Sequence, residues 1–311
     1  MRIAFMGTPE FAVPSLAALL DAGRQVVGVF CQPDRPKGRG KSLAAPPVKV
    51  LAQERGVPVF QFDRLRAPEG IEALRALKPD LVVTAAFGQI LSQTLLDIPP
   101  LGTVNVHASL LPAYRGPAPI NWCIMLGETV TGITTMLTDA GVDTGDMLLR
   151  QPVDILPGET AGELSERLAP IGASLLLRTL DAMERGDCPR APQDHDAATR
   201  HPMLRKETGR IDWSAPAKRI VDLIRGVDPW PGAFTGAYKI WRAEALDVPV
   251  SEPPGTVLCA NPKDGLVIAT GQGGLRVWVL QAPGAKRMPA ADYLRGHSME
   301  VGKRFGGEVE A

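Results

Sequence analysis

Asn105 and His107, in NVHASLLPAYRGPAPI, and Asp143, in GVDTGDM, bring an amide, an imidazole and a carboxylate into one stretch of the chain. These are the parts needed to move an acyl-type group onto an amine. Such a transfer passes through a tetrahedral carbon bearing O⁻, which neutral amide-like donors must meet. A second group must take a proton from the attacking nitrogen and give one to the departing nitrogen. Imidazole suits this because it ordinarily titrates near neutrality. Residues two apart on a strand share a face, so Asn105 and His107 can approach one carbonyl oxygen together. Asp143 lies between Gly141 and Gly145. A carboxylate brought close would orient the imidazole and favour its charged form. Each residue alone reads more simply as a loop or turn former; the set with its surrounding words points to chemistry.

The elements that must position these groups follow from periodicity. Residues 2–6 (RIAFM), 25–31 (QVVGVFC), 81–85 (LVVTA) and 102–106 (GTVNV) read as buried strands. Residues 15–22, 47–55 and 71–77 read as helices, the first two followed by Gly23 and Gly56. Strand and helix alternating in this way predict a parallel sheet covered on both faces, with its ligand crevice beyond the carboxyl ends of the strands. Asn105 and His107 fall at such an end. Residues 132–137 and 147–153 predict two more strands joined by the TDAGVDTGD turn. Thr160 with Glu163 makes a capping box opening a helix that runs to about residue 184. Residues 186–205, rich in Pro, Asp, Arg and Gly, read as a linker. Beyond it, a helix from about residue 216 turns Ile220, Leu223 and Ile224 inward, and short runs at 255–259, 265–270 and 274–280 predict a small β-barrel. Trp213 and Trp230 read as core.

Composition narrows the class. The 311 residues are 45% apolar and 22% charged, enough for a real core. Lys+Arg and Asp+Glu are 34 each, so the whole molecule gives no electrostatic sign of a nucleic-acid partner, although residues 202–311 are net +3 and residues 1–201 net −3. Cys31, Cys123, Cys188 and Cys259 are scattered without a CxxC pair, which argues against structural zinc. Only Gly7 follows the first strand. The GxGxxG fingerprint of dinucleotide cofactors is therefore missing. The N-terminus is too short in apolar residues for a signal peptide, and no run approaches the ~18 residues of a membrane span. A cytoplasmic protein and a monomer are expected.

These words together resemble the folate-dependent formyltransferases, in the branch that passes a formyl group from 10-formyltetrahydrofolate to the methionine on initiator tRNA. The likeness rests on GTPEFA, the basic PDRPKGRGK word, Asn-x-His with Ser109–Pro112, Val142–Gly145, RIDWS, DPWPGA and KRM, and covers nearly the whole chain. It implies that Asn105 and His107 polarise the formyl oxygen and that Asp143 tunes His107. It implies that Ser109, Leu110, Leu111 and Pro112 line a tetrahydrofolate pocket, and that Arg35, Lys37, Arg39 and Lys41 engage the acceptor arm of the tRNA. No metal is implied. The implied fold is α/β, with an N-terminal Rossmann-like parallel sheet and a smaller C-terminal OB-fold-like β-barrel. The domains would be 1–189 (catalytic), 190–205 (linker) and 206–311 (tRNA-contacting).

Other acceptors remain open at this stage. Amino-sugar nucleotide formyltransferases share the Asn-x-His and SLLP elements, and water in place of the amine would make a formyltetrahydrofolate hydrolase. A non-catalytic RNA-binding protein would not need the three polar residues. The basic loop and the RIDWS word favour tRNA among the acceptors: with Lys49 and against Asp34 the loop carries net +4, which suits a phosphate backbone, although by itself it also reads as a solvated loop. Neutralising Arg39 and Lys41 is therefore expected to raise the KM for charged tRNA at low salt and to flatten its salt dependence. Steady-state kinetics across an ionic-strength series checks this, and an unchanged salt slope contradicts it.

Overall fold

The computed structural model describes residues 1–37 and 42–306. They form two compact units, one of residues Met1–Pro119, Val130–Asp154 and Ser165–Pro202, the other of Ile120–Thr129, Ile155–Leu164 and Met203–Ala311. The units are discontinuous in sequence. No helix of the described residues is long and apolar enough to cross a membrane.

In the first unit, strands β1 (Arg2–Gly7) and β2 (Gln25–Cys31) are followed by a separate two-stranded ribbon, β3 (Arg35–Lys37) with β4 (Ser42–Ala44). Then come β5 (Val59–Gln61), β6 (Leu81–Ala85), β7 (Thr103–His107), β8 (Val130–Leu137) and β9 (Met147–Asp154). The main sheet has seven strands in the order β5-β2-β1-β6-β7-β8-β9. It is parallel from β5 to β7, while β8 pairs antiparallel with β7 and β9 antiparallel with β8. The central strands are apolar on both faces. Ala4, Met6 and Val82 join Phe30, Leu74 and Leu95 in one buried cluster, and Ile3 and Phe5 point the other way by strand alternation, equally buried.

Helices α1 (Val13–Asp21), α2 (Pro47–Glu54), α3 (Pro68–Ala76) and α4 (Gln93–Leu96) connect the parallel strands. Gly23 and Gly56 sit just past the ends of α1 and α2 at φ +68 each, the left-handed cap the sequence predicts. Helix α5 (Pro119–Met125) precedes β8. Helix α6 (Ala161–Arg185) begins at the predicted box: Glu163 N–H donates to Thr160 Oγ1 at 3.3 Å and Thr160 N–H to Glu163 Oε2 at 2.8 Å. Gly172 lets α6 lie on β7, since a Cβ there would stand 3.0 Å from Val106 Cγ1. Thr135 and Thr179 hydroxyls, 2.8 Å apart, tie β8 to the same helix.

In the second unit, α7 (Ala217–Gly226) buries Ile220 and Ile224 as expected, but Asp222 rather than Leu223 completes its inward face. Arg225 Nη2 pairs with Asp222 at 2.5 Å, which explains how a carboxylate is tolerated there. Strands β10 (Ala233–Thr235), β11 (Tyr238–Leu246), β12 (Val257–Asn261), β13 (Gly265–Ala269), β14 (Gly274–Gln281) and β15 (Met288–Pro289) make a six-stranded antiparallel sheet, followed by α8 (Ala290–Gly296). Its path runs β10-β11-β14-β13-β12, with β15 on β14. Trp213 is core and donates to Thr235 Oγ1 at 3.1 Å. Trp230 is not core: it is 56% exposed, in the proline-flanked turn between α7 and β10.

Cys31, at the buried end of β2, has its thiol pushed up to about 11, chiefly by burial, with Lys49 acting in the opposite sense. The native protein treated with a thiol reagent at pH 8 should therefore leave Cys31 unmodified until denaturant is added. Peptide mass spectrometry reads this, and labelling of native Cys31 at the rate of an exposed cysteine contradicts it.

Candidate active site

Strand pairing prepares Asn105. It stands opposite Thr84 across the parallel β6–β7 ladder, and the Thr84 hydroxyl donates to Asn105 Oδ1 at 2.9 Å. With its oxygen engaged, the amide turns its nitrogen outward, 3.5 Å from Asp143 Oδ1. Asn105 is the third residue of β7, so it lies on the sheet face rather than beyond the strand end; His107 occupies that end. Val104 and Val106 take the opposite face.

His107 is buried at 6% exposure, with Nε2 3.1 Å from the Tyr114 carbonyl. A carbonyl can only accept, so Nε2 carries the hydrogen. The other ring nitrogen, Nδ1, stands 3.6 Å from Asp143 Oδ1, an ion-pair distance. The second carboxylate oxygen accepts the Gly116 N–H at 2.8 Å. The three expected residues thus converge, although β8 runs antiparallel to β7 and pairs Leu137 with Val104, near the start of that strand. The turn joining β8 to β9 must fold back over the sheet face to bring Asp143 to His107. Gly145 permits this, since a Cβ there would lie 1.9 Å from the Leu137 carbonyl oxygen. Asp143 itself holds φ +54, in the left-handed region that costs an L-residue about 1–2 kcal/mol.

Three further residues, none expected from the sequence, hold this geometry. Thr84 is one. Gln193 is the second: its Nε2 donates to the Asp143 carbonyl at 2.9 Å and to the Gly145 carbonyl at 2.7 Å. Arg115 is the third, donating Nε and Nη2 to Gln193 Oε1 at 2.9 and 2.7 Å. Thr84 is the single hydroxyl of LVVTA, and only strand register reveals its partner. Gln193 lies in the segment read as a linker. That segment, mostly exposed, is fastened to the unit at several points: Ala191 bridges Met147, Arg200 bridges Arg115, and the Thr199 hydroxyl accepts the Tyr114 N–H at 2.8 Å.

Within Ser109–Pro112, the Ser109 hydroxyl is buried and donates to the Ala113 carbonyl at 2.7 Å. Leu111 is fully buried with Met136 and Met147. These two side chains face the interior, because the loop is fastened to β8 by Thr134, which donates to the Ser109 carbonyl and accepts the Leu111 N–H. Leu110 and Pro112 are the half-buried members.

The start of the basic word lies in β3, which pairs with β4 beyond the word: Arg35 pairs with Ala44 and Pro36 with Leu43. Arg39 and Lys41 lie outside the described residues. Arg35 is exposed. Lys49, counted in the loop's net charge, is committed elsewhere, donating to both Asp34 oxygens at 2.7 and 2.8 Å and to Gln61 at 2.9 Å. The Lys49 ammonium, and after it Gln61, hold the Asp34 carboxyl below the usual carboxylate range. Beside the ribbon opens a cleft of about 900 Å³, lined by Thr8, Gln32, Arg35, Val50, Phe87 and Gly88 among others. It lies beyond the carboxyl ends of β1, β2 and β6. No group of three His, Cys, Asp or Glu among the described residues stands together as a metal site.

Two family models that together span most of the chain give its class, a formyl-group transferase. Residues 1–180 match the family described as Formyl transferase, and residues 203–298 its C-terminal domain. The methionyl-tRNA formyltransferase of Trichlorobacter lovleyi is 52% identical over 305 residues, covering 97% of this chain and 96% of its own length. That of Acetivibrio thermocellus is 50% identical over 311 residues, covering 98% and 100%. Among solved structures, HypX from Aquifex aeolicus in complex with tetrahydrofolic acid superposes at TM-score 0.61 with 19% identity, over 98% of this chain and 51% of that one. The N-formyltransferase from Helicobacter canadensis, with folinic acid and dTDP-3-aminofucose, gives TM-score 0.65 with 16% identity, over 92% and 99%. These two show the shared fold. The chain belongs to the methionyl-tRNA formyltransferase family, and it is an enzyme that transfers a formyl group.

Thr84→Val keeps the strand's shape and removes the donor that turns the Asn105 amide. The expected outcome is a kcat lowered roughly tenfold, the value of about one hydrogen bond, with both KM values unchanged. Steady-state kinetics checks it, and an unaltered kcat contradicts it.

Proposed function

We infer that the protein transfers the formyl group of 10-formyltetrahydrofolate to the amino group of methionine on initiator tRNA, for translation initiation in the cytoplasm, as a monomer and without a metal. The observation that carries this reading is the convergence of Asn105, His107 and Asp143 in a chain about half identical, over nearly its full length, to methionyl-tRNA formyltransferases.

The reaction forms a bond from the amine nitrogen to the formyl carbon and breaks the carrier's bond to that carbon. Negative charge grows on the formyl oxygen, and Asn105 Nδ2 is the donor that meets it, already oriented by Thr84. The amine must lose a proton and the departing nitrogen must gain one. His107 Nδ1 carries the lone pair of the neutral ring, because Nε2 is fixed to Tyr114, so Nδ1 takes the proton and returns it. Asp143 Oδ1 faces that nitrogen and stabilises the ring while it is charged.

The carrier borders Ser109–Pro112, with contact falling to Leu110, Pro112 and the backbone, since Ser109 and Leu111 shape the loop from within. The basic ribbon, through Arg35, Lys37, Arg39 and Lys41, meets the acceptor arm. Residues 1–189 serve catalysis and residues 206–311 contact the tRNA backbone, with the intervening stretch held by hydrogen bonds at Ala191, Gln193 and Thr199. The net +3 of residues 202–311 supports that contact.

Purified protein given 10-formyltetrahydrofolate with Met-tRNA, an amino-sugar nucleotide or water should modify Met-tRNA alone. His107→Ala should abolish that transfer while leaving folding and tRNA affinity nearly unchanged, and Asn105→Ala should lower kcat by about 10²–10³. Near-normal turnover of the His107 variant, or preference for the sugar nucleotide, would refute the reading.

A further inference from the structure

We propose that Gln193 is a positioning residue for formyl transfer, and that residues 191–201 are a working part of the active site. The proposal rests on the reading above, in which the Asp143 carboxylate serves His107.

Gln193 is only 5% exposed, and its carboxamide is fully used. Both amide hydrogens go to the Asp143–Gly145 turn, to carbonyl oxygens at 2.9 and 2.7 Å. Its oxygen takes two guanidinium N–H bonds from Arg115, itself 7% exposed, at 2.9 and 2.7 Å. Arg115 Nη2 also reaches His195 Nδ1 at 3.2 Å, in the same strap. The strap is stitched down on both sides of Gln193. Ala191 and Met147 exchange two backbone bonds of 2.9 Å each, and Arg115 N–H donates to the Thr199 carbonyl at 2.9 Å.

One planar group therefore joins the two loops that the chemistry needs. The loop through Tyr114, Arg115 and Gly116 holds the His107 ring by a carbonyl and one Asp143 oxygen by an N–H. The turn through Asp143 and Gly145 carries the carboxylate on a left-handed residue, a conformation that persists only when surrounding bonds determine it. A carboxamide alone among side chains offers two donors to one loop and an acceptor to a cation on the other. Glutamate at 193 would keep the Arg115 side of the bridge and set an oxygen against the Asp143 and Gly145 carbonyls. Methionine would keep the volume and remove every polar contact.

The test is steady-state kinetics on the full-length enzyme with Met-tRNA and 10-formyltetrahydrofolate, alongside thermal unfolding. The variants are Gln193→Glu, Gln193→Met, Asp143→Asn and the two Gln193 changes combined with Asp143→Asn. Misplacing a catalytic group by about 1 Å costs up to ~10²-fold, so kcat of each Gln193 variant should fall roughly 10- to 100-fold with both KM values within about twofold. In the Asp143→Asn background the same changes should cost less than about twofold more, because the carboxylate they place is already gone. A parental kcat in both Gln193 variants would overturn the proposal. So would losses that multiply fully with Asp143→Asn, or loss of the folded transition in both variants. Near-parental activity of Asp143→Asn alone would remove the underlying reading and the proposal with it, a result distinct from those three.

Discussion

The Asp143 carboxylate is the fixed charge around which this site is organised. One oxygen lies 3.6 Å from His107 Nδ1 and 3.5 Å from Asn105 Nδ2, while the other is tied to the Gly116 N–H. A carboxylate on a flexible turn would instead swing into water, where its solvation is better. Here it is restrained by its own backbone, and that backbone sits at φ +54. A left-handed non-glycine residue costs about 1–2 kcal/mol. Two hydrogen bonds from Gln193 to the turn's carbonyls, each contributing about 1 kcal/mol net, offset a cost of that size.

The remainder of the first unit holds the other two groups with comparable economy. Parallel pairing of β6 with β7 sets Thr84 beside Asn105, so the register of the sheet decides which way an amide faces. Helix α6 presses on the reverse side of β7 through Gly172 and Val106, which leaves Asn105 and His107 no other face to occupy. The change from parallel to antiparallel at β8 has its own consequence. The β8–β9 connection leaves near the start of β7, and the chain has to return across the sheet to deliver its carboxylate. Glycine at 145 makes that return possible where the backbone closes on Leu137.

Much of this was legible in the sequence where a single physical rule governed it. Buried parallel strands announce themselves as short, mostly apolar runs, and β2 and β6 have the bounds read from QVVGVFC and LVVTA. The α6 capping box was visible because both partners lie within one turn. Asn105, His107 and Asp143 stand out in the sequence through their residue types and the family resemblance of the words around them, and the structure brings them together. Contacts that depend on register or on long loops were not visible. Thr84 needs the strand order before its partner is known. Gln193 is one amide in a polar, proline-rich stretch, and composition read that stretch as a linker because its apolar content is low. Its stability comes from backbone bridges and a buried guanidinium, which hydrophobic periodicity does not register. Trp230 was misread for the converse reason, since an aromatic in a turn carries no periodic signal of exposure.

Charge counted along the chain also differs from charge available in space. The basic segment sums to net +4 only if Lys49 is included, yet Lys49 is bound to both oxygens of Asp34 and to Gln61. That pair cancels, leaving the same formal sum, but it moves the cation from the surface to the foot of the ribbon, where it fastens the base. The β3 and β4 arms are paired to each other rather than added to the main sheet. Arms held in register have already lost part of their conformational freedom, so ordering them further costs less entropy than an unpaired loop of the same sequence would require. The Asp34–Lys49–Gln61 cluster thus stiffens the base of the segment that carries the exposed Arg35.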